Sequence, residues 1–304
     1  ALGQGSSNNL SKDTDLALAI GTKLADFTTG SWANFENPDF KLISLNTARF
    51  DTTKHLATPV ISDAKVGLQQ ISEALGDWKA PDPWYQRAIK ERDEWDSYVQ
   101  KHSGPTNQEE PSYAHAVGAV YRNADPSDIV VTAAGGLVGE VVQVWKPKQL
   151  NTFETEWGFS CMGYEISGAL GIKMAKPDQD VVVFVGDGSY LLSNSDIYSS
   201  ILYDKKLIII VCDNGGHMVI NRLQLAKGGK EYICNLRAAR ATNLQFVDFE
   251  KHASSMGANA ETVSSTSELE AAFKRAKDSD KTYVIVIKTH GYEWLEGTAF
   301  WESP

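Results

Sequence analysis

Cysteine is scarce in this sequence. The 304 residues include three, Cys161, Cys212 and Cys234, and no two of them form the C-x-x-C pair of many zinc and redox sites. A structural zinc site or a catalytic disulfide therefore has little support. So few cysteines suit a reducing compartment, and we expect a cytoplasmic location.

Long apolar runs and an excess of positive charge are missing as well. No apolar run reaches the length of about 18 residues that suggests a transmembrane helix, and no signal-peptide pattern is present. Lys and Arg number 29 against 39 Asp and Glu, which gives a formal net charge of -10. We therefore expect neither a membrane nor a nucleic-acid partner, although a local site can still bind a small anion.

Strand-like and helix-like segments alternate, which predicts an α/β fold with two doubly wound, parallel-sheet domains. We expect one domain at 1–77, a linker with a polar helix at 78–111 and a second domain at 112–304. The chain begins with Ala1 and a loop-like G-Q-G-S-S-N-N, so we expect a fragment or a chain whose beginning has been removed. Strands are predicted at 15–20 (buried), 40–46, 59–62, 128–133, 181–185, 207–212 and 283–288, and helices at 64–75, 84–102, 113–121, 162–175, 194–203 and 267–277.

One pair of polar residues follows two of the predicted strands. Asp187 stands between two glycines after one strand, and Asn214 follows the next strand 27 positions later. Strands of a βαβ unit run the same way, so their carboxyl ends share the edge of the sheet where ligands bind. Carboxylate and amide oxygens, with a carbonyl such as that of Gly216, suit Mg²⁺ or Ca²⁺. The pattern predicts an ion that bridges the protein to a diphosphate, to which Ser189 and nearby N–H groups would donate.

A simpler interpretation is that both segments are turns. Glycine, Asp and Asn favour turns by themselves, so G-D-G alone supports nothing more. The second element, at this spacing and after a second apolar strand, favours the ion site.

At these residues the sequence resembles the thiamine diphosphate (ThDP) enzymes. Their motif is G-D-G followed, about 26 residues later, by N or N-N. Gly186, Asp187 and Gly188 match the first part and Asn214 the second, while Asp213 stands where the first Asn often stands.

The resemblance implies ThDP and Mg²⁺ as cofactors. It implies that Asp187, Asn214 and the carbonyl of Gly216 bind Mg²⁺. The glycines on either side of Asp187 would make room, and Ser189 would face the phosphate.

Two upstream segments extend the resemblance. The segment G-F-S-C-M-G-Y-E-I-S-G-A-L-G-I-K-M-A (158–175) is similar to the thiazolium-carrying segment of the acetohydroxyacid synthase and pyruvate oxidase branch. It implies that Met162 wedges the cofactor into a V shape and that the Ser160 carbonyl accepts a hydrogen bond from its 4'-amino group. The alternative is a Met and a Gly at the start of a helix that packs on a core.

The other segment, T-A-A-G-G-L-V-G-E at 132–140, resembles a glycine-rich loop that lines the diphosphate. Its cofactor-binding candidates are Ala134, Gly135 and Gly136.

Longer strings resemble the trihydroxycyclohexanedione hydrolases of myo-inositol catabolism. These are A-D-F-T-T-G-S-W-A-N-F (25–35), N-T-F-E-T-E-W-G-F-S-C-M-G-Y-E-I-S-G-A-L-G (151–171) and I-N-R-L-Q (220–224). The resemblance implies hydrolytic cleavage of a C–C bond that opens the ring of a small cyclic 1,2-diketone.

The same resemblance implies the identity of the domains. Residues 1–77 would be part of a middle domain, and 112–304 a diphosphate-binding domain. No segment resembles the pyrimidine-binding domain, which normally supplies a glutamate to the cofactor of a neighbouring subunit. We therefore expect a second subunit or that missing domain as a partner, in a homodimer or homotetramer, and no activity from this chain alone.

Glu156 and His217 are the candidates for proton transfer within the chain. Glu156 comes shortly before Ser160, and His217 directly follows the metal segment. The alternative is a solvated or salt-bridged surface position for Glu156 and a surface or structural role for His217. The cofactor motifs also leave open an acetolactate synthase-like carboligase or decarboxylase, and an inactive fragment that only binds cofactor.

Overall fold

The computed structural model describes residues 5–156 and 158–296. The outer ends of the two predicted domains, 1–4 and 297–304, lie outside the described residues. Every functional candidate named above lies within them.

The chain divides into two compact units. The first includes the residues up to Tyr98 together with Glu296, and the second is Val99–Leu295. The division falls inside a helix of the predicted linker.

The first unit contains a three-stranded parallel sheet in which the strands follow their order in the chain. Asp63 begins the helix after the third strand by accepting hydrogen bonds from the N–H groups of Lys65 and Val66, as expected of an N-cap. The strands are β1 Leu16–Ile20, β2 Lys41–Asn46 and β3 Thr58–Ile61, and the helices are α1 Gly5–Asp13, α2 Asp26–Thr29, α3 Arg49–Thr52, α4 Ala64–Leu75 and α5 Asp82–His102, which continues into the second unit.

The prediction of a buried first strand is wrong. Leu16, Leu18 and Ile20 of β1 are 51%, 38% and 41% exposed. The apolar cluster of this unit includes the alternate residues Ala17 and Ala19, so it covers only one face of the strand.

The predicted opening loop is also wrong, because residues 5–13 form α1. Gly5 packs closely on α5, where a Cβ at Gly5 would lie 2.8 Å from the ring of Trp95. Asn9 donates a side-chain hydrogen bond to Glu91 of the same helix. Tertiary contacts therefore support a helix in a segment whose composition favours a loop.

The second unit is built on a parallel sheet of six strands in the order β5-β4-β6-β7-β9-β8. The strands are β4 Ile129–Thr132, β5 Phe153–Thr155, β6 Val181–Gly186, β7 Ile208–Asp213, β8 Asn259–Val263 and β9 Tyr283–Lys288. The helices are α6 Tyr113–Asn123, α7 Gly135–Val144, α8 Tyr164–Ala175, α9 Asp187–Tyr190, α10 Ser195–Leu202, α11 Met218–Ala226, α12 Phe249–Ser255 and α13 Thr266–Asp278.

Helices cover both faces of this sheet. On one face, side chains of α8, α10 and α12 join alternate strand residues in a single core cluster. On the other face, Phe184 meets Trp145 just after α7, and α13 packs on β9. The central strands β6 and β7 are therefore almost completely buried. This confirms the α/β prediction with a doubly wound parallel sheet in this unit.

The four strands predicted here as continuous apolar runs are confirmed, whereas the edge strands β5 and β8 were not predicted. No helix in the described part of the chain is long and apolar enough to cross a membrane.

Candidate functional site

Asp187 and Asn214 lie at the same edge of the six-stranded sheet. β6 and β7 pair in parallel, with Gly186 opposite Cys212. Asp187 directly follows Gly186, and Asn214 directly follows Asp213, the last residue of β7, so both lie at the carboxyl ends of adjacent strands. The sequence-based placement is therefore confirmed.

The carboxylate of Asp187 joins the two loops. Its Oδ1 accepts a hydrogen bond from the Gly188 N–H (2.9 Å) and its Oδ2 one from the Gly216 N–H (2.7 Å). Burial, reinforced by the nearby carboxylate of Asp213, raises the pKa of Asp187 to about 7. A divalent cation would act in the opposite direction, because it stabilises the charged carboxylate.

The side-chain amide of Asn214 presents an unpaired oxygen. Its Nδ2 donates to Oη of Tyr113 over 2.7 Å, while its Oδ1 is buried without a hydrogen-bond partner among the described residues. Such an oxygen costs free energy unless a ligand or water binds it. Together with the Asp187 carboxylate, it gives the hard oxygen donors that Mg²⁺ prefers, so the residues present fit a divalent cation.

The loop after β7 requires its two glycines. Gly215 and Gly216 have φ values of +82° and +139°, and a Cβ at Gly216 would lie 2.3 Å from the carbonyl oxygen of Cys234. Asp213 shapes the same loop, since its Oδ1 accepts from the Gly215 N–H and its Oδ2 pairs with Lys288. The acidic residue that departs from the N-N motif thus has a structural role and a countercharge.

His217 lies beside the G-D-G segment. A Cβ at Gly188 would come within 2.6 Å of the His217 ring, so this glycine makes room for the imidazole. The His217 side chain is exposed, which leaves it accessible to a ligand at this edge.

Glu165 connects three segments that the sequence assigns to cofactor binding. It accepts hydrogen bonds from the N–H groups of Ala134 (3.2 Å) and Gly163 (2.9 Å), and the Ser189 hydroxyl donates to both its oxygens (2.9 and 2.8 Å). Burial raises the pKa of this carboxyl. The Ser189 hydroxyl also accepts from the Gly163 N–H, so the structure directs it at protein groups where the sequence predicts a phosphate.

The predicted glycine-rich loop is in fact the start of α7. Ala134 is the N-cap residue, and Gly135, with φ of +76°, is the first helical residue. A Cβ at Gly136 would lie 2.4 Å from the Trp294 ring. Because β4 adjoins β6, the beginning of α7 lies at the same sheet edge as Asp187, and helix N-termini favour phosphate groups.

Ser160 and Met162 lie on the turn before α8, which begins at Tyr164, two residues later than predicted. Ser160 has φ of +52°, and Met162 is 38% exposed. The hydrogen bond from the Gly163 N–H to Glu165 fastens the end of this turn.

Glu156 fastens the beginning of the same turn. Its carboxylate accepts hydrogen bonds from the N–H groups of Phe159 and Cys161, both at 2.9 Å, and these bonds lower its pKa. Glu156 is therefore charged at neutral pH and holds the backbone around Ser160.

Unpaired polar atoms recur along this sheet edge. Thr132 and Thr155 end β4 and β5, and Thr289 directly follows β9. Their hydroxyls are buried without a hydrogen-bond partner among the described residues. Together with Asn214 Oδ1 they make the carboxyl edge polar, as expected of the ligand-binding edge of an α/β sheet.

Sequence reasoning missed Glu165 and Tyr113. For Glu165 a signal existed, namely an acidic residue in an otherwise weakly polar helix start. Tyr113 gave none, because it is 101 positions from Asn214.

Comparison with known proteins places this geometry in a family. Residues 133–287 match the family described as thiamine pyrophosphate enzyme, C-terminal TPP binding domain. This range includes every site residue predicted from the sequence, and thiamine pyrophosphate is another name for ThDP.

Curated relatives carry a more specific name, 3D-(3,5/4)-trihydroxycyclohexane-1,2-dione hydrolase. The protein of Listeria innocua is 34% identical over 99% of this chain, that of Bacillus licheniformis 33% over 96%, and that of Halalkalibacterium halodurans 32% over 94%. These alignments cover 50%, 50% and 49% of the respective relatives. The chain thus spans about half the length of the curated relatives it matches.

Proposed function

The chain belongs to the thiamine pyrophosphate enzymes, and from this membership we propose that it provides the diphosphate-binding part of a ThDP- and Mg²⁺-dependent hydrolase. Its substrate would be the cyclic 1,2-diketone trihydroxycyclohexane-1,2-dione of inositol catabolism, whose ring opens when a C–C bond is cleaved. The names of the relatives support this substrate. The observation that carries the cofactor site is the buried Oδ1 of Asn214, which has no hydrogen-bond partner within residues 5–156 and 158–296, at the same sheet edge as the Asp187 carboxylate.

Three groups of the chain would hold Mg²⁺. These are the Asp187 carboxylate, Oδ1 of Asn214 and the carbonyl of Gly216. One carboxylate offsets only part of the charge of the ion, which leaves it able to attract a diphosphate. The cation would also keep Asp187 ionised despite its burial.

The remaining cofactor contacts would come from two neighbouring segments. Ala134, Gly135 and Gly136 begin α7 and would place N–H groups near the diphosphate. Ser160 and Met162 would contact the cofactor from the turn before α8. When bound, ThDP supplies the nucleophilic carbon and the electron acceptor for cleaving a C–C bond next to a ketone.

Proton transfer is a separate requirement of the reaction. His217 is accessible beside Gly188 and is our candidate for moving protons at the substrate. Glu156 accepts two backbone hydrogen bonds, which supports a role in holding the Ser160 turn. We further propose that a pyrimidine-binding domain or second subunit supplies the glutamate for the cofactor's aminopyrimidine, in a homodimer or homotetramer.

A cytoplasmic location completes the proposal. It is supported by the three cysteines, all of which are free thiols.

Product analysis tests the reaction. The chain would be supplied with ThDP and Mg²⁺, alone and mixed with the part of a curated relative that lies outside the matched region, and offered the cyclic dione or pyruvate. When the two proteins are mixed, we expect the ring of the dione to open without release of CO₂. CO₂ or acetolactate from pyruvate would instead favour the carboligase, and cofactor binding without turnover would favour the inactive fragment.

A further inference from the structure

We propose that Tyr113 is a positioning residue that holds the Asn214 amide with its oxygen directed at the cation. The proposal rests on the proposed function, because it takes Asn214 as a ligand of the ion. The observation behind it is the 2.7 Å hydrogen bond from Asn214 Nδ2 to Tyr113 Oη.

The two ends of an asparagine amide have nearly the same shape, so packing hardly distinguishes them. With the nitrogen toward a cation, the amide would present N–H donors to a positive charge. With the oxygen toward the cation, the buried NH₂ group needs an acceptor elsewhere. The Tyr113 hydroxyl is that acceptor, so the buried NH₂ group is satisfied while Oδ1 of Asn214 is left to the ion.

Tyr113 is itself held firmly. It is the first residue of α6, is 5% exposed, and packs edge-to-face against Trp294 with ring centroids 5.7 Å apart. Its hydroxyl also approaches Gly186, at 3.9 Å from the position of a Cβ there.

This arrangement gives the tyrosine a role beyond filling the core. A phenylalanine would keep the ring and its contact with Trp294 but remove the hydroxyl that accepts from Asn214 Nδ2. The amide could then turn either way. Groups that orient metal ligands typically change metal affinity by about 10–100-fold when they are lost.

The first test is calorimetric titration of Mg²⁺ into the chain at saturating ThDP. We expect Tyr113→Phe to weaken Mg²⁺ binding by about 10–100-fold. The matched control is Tyr121→Phe, which removes the hydroxyl of the other tyrosine of α6, bonded to the Lys146 carbonyl. Equal affinities in Tyr113→Phe and the control would overturn the proposal.

The second test separates orientation from packing. In Asn214→Asp, both ends of the side chain are oxygens, so no end has to be selected. Tyr113→Phe in that background should weaken Mg²⁺ binding by less than about threefold, as a double-mutant cycle measures. Equal losses in the Asn and Asp backgrounds would show that the tyrosine acts through packing alone.

A third experiment tests, without any cofactor, whether Tyr113 holds the Asn214 amide. In the chain labelled with ¹⁵N-asparagine, the Asn214 NH₂ group should exchange slowly with solvent, and Tyr113→Phe should remove this protection. Unchanged exchange would overturn the proposal. A wild-type chain with a protected amide and no affinity for Mg²⁺ and ThDP would instead refute the proposed function.

Discussion

Single residues at the sheet edge are each held by specific partners. Asp187 accepts N–H groups from two loops, Glu165 joins three segments, and Gly188 leaves space for an imidazole. A substitution at one of these residues therefore changes a specific hydrogen bond or a specific steric contact.

Asp187→Ala should abolish Mg²⁺-dependent ThDP binding, because it removes the carboxylate ligand. The fold should survive, since losing two backbone hydrogen bonds is offset by removing a buried charge close to Asp213. Calorimetry and circular dichroism measure the two effects. Asp178→Ala, an exposed carboxylate elsewhere in this unit, serves as the control. Unchanged affinity would refute the metal assignment.

Gly188→Ala should lower the free energy of unfolding by about 0.5–1.5 kcal/mol, because the new methyl group meets the His217 ring and this exposed side chain must turn away. His217→Ala should relieve that loss in the double variant. Urea unfolding measures both, with Gly171→Ala of α8 as a control where a Cβ meets nothing within 4 Å. Destabilisation that persists without the imidazole would contradict the expected collision.

Helices and strands of the second unit place these residues. The strands β4, β6 and β7 end at one edge of the sheet, and α7 begins at that edge with Gly135 and Gly136. Farther along α7, Glu140 is completely buried and accepts hydrogen bonds from the Leu295 N–H. Glu140 is therefore a buried titratable group of α7 that lies outside the proposed metal site.

Burial raises the pKa of Glu140 from 4.5 to about 8, despite the Leu295 hydrogen bond and the nearby charge of Arg222. Between these values the folded state keeps a proton that the unfolded state releases. The proton bound to Glu140 therefore contributes to the free energy of unfolding. This contribution is complete below about pH 4.5 and is lost as the pH rises to about 8, and the free energy of unfolding falls by at most about 1.4 kcal/mol per pH unit.

Glu140→Gln should remove this dependence. We therefore expect wild type to lose stability relative to the variant between pH 5 and pH 8, as measured by urea unfolding at each pH. Glu109→Gln, at an exposed carboxylate of the same unit, provides the control. Parallel pH profiles for wild type and Glu140→Gln would contradict the raised pKa.

The whole molecule consists of two compact units, and every candidate ligand of the cofactor lies in Val99–Leu295. The first unit has its own parallel sheet and its own apolar cluster. Binding of Mg²⁺ and ThDP should therefore stabilise the second unit more than the first.

Hydrogen exchange with and without Mg²⁺ and ThDP measures this difference. We expect slower exchange in the loops after β4, β6 and β7 and in the turn before α8. Amides of β1, β2 and β3 should exchange as before and act as the internal control. Equal protection of both units would contradict a site confined to the second.

Prediction from the sequence succeeded where a pattern is local. The runs at 181–185 and 207–212 predict β6 and β7, because a strand covered on both faces is apolar at every position. β5 and β8 are partly exposed edge strands with polar residues, so they lack that pattern. The segment at the start of α7 was predicted as a loop because glycine has a low helix propensity, although the later residues of this helix are buried.

By itself, the sequence determined the α/β character of the chain and the pair Asp187 and Asn214, because parallel connectivity brings the ends of successive strands to one edge. Tertiary structure alone decided how those side chains are oriented. Tyr113, Glu165 and Trp294 reach the site from α6, α8 and the segment after β9. The direction of a hydrogen bond and the room left beside a glycine depend on packing between distant segments, which no local pattern of residues encodes.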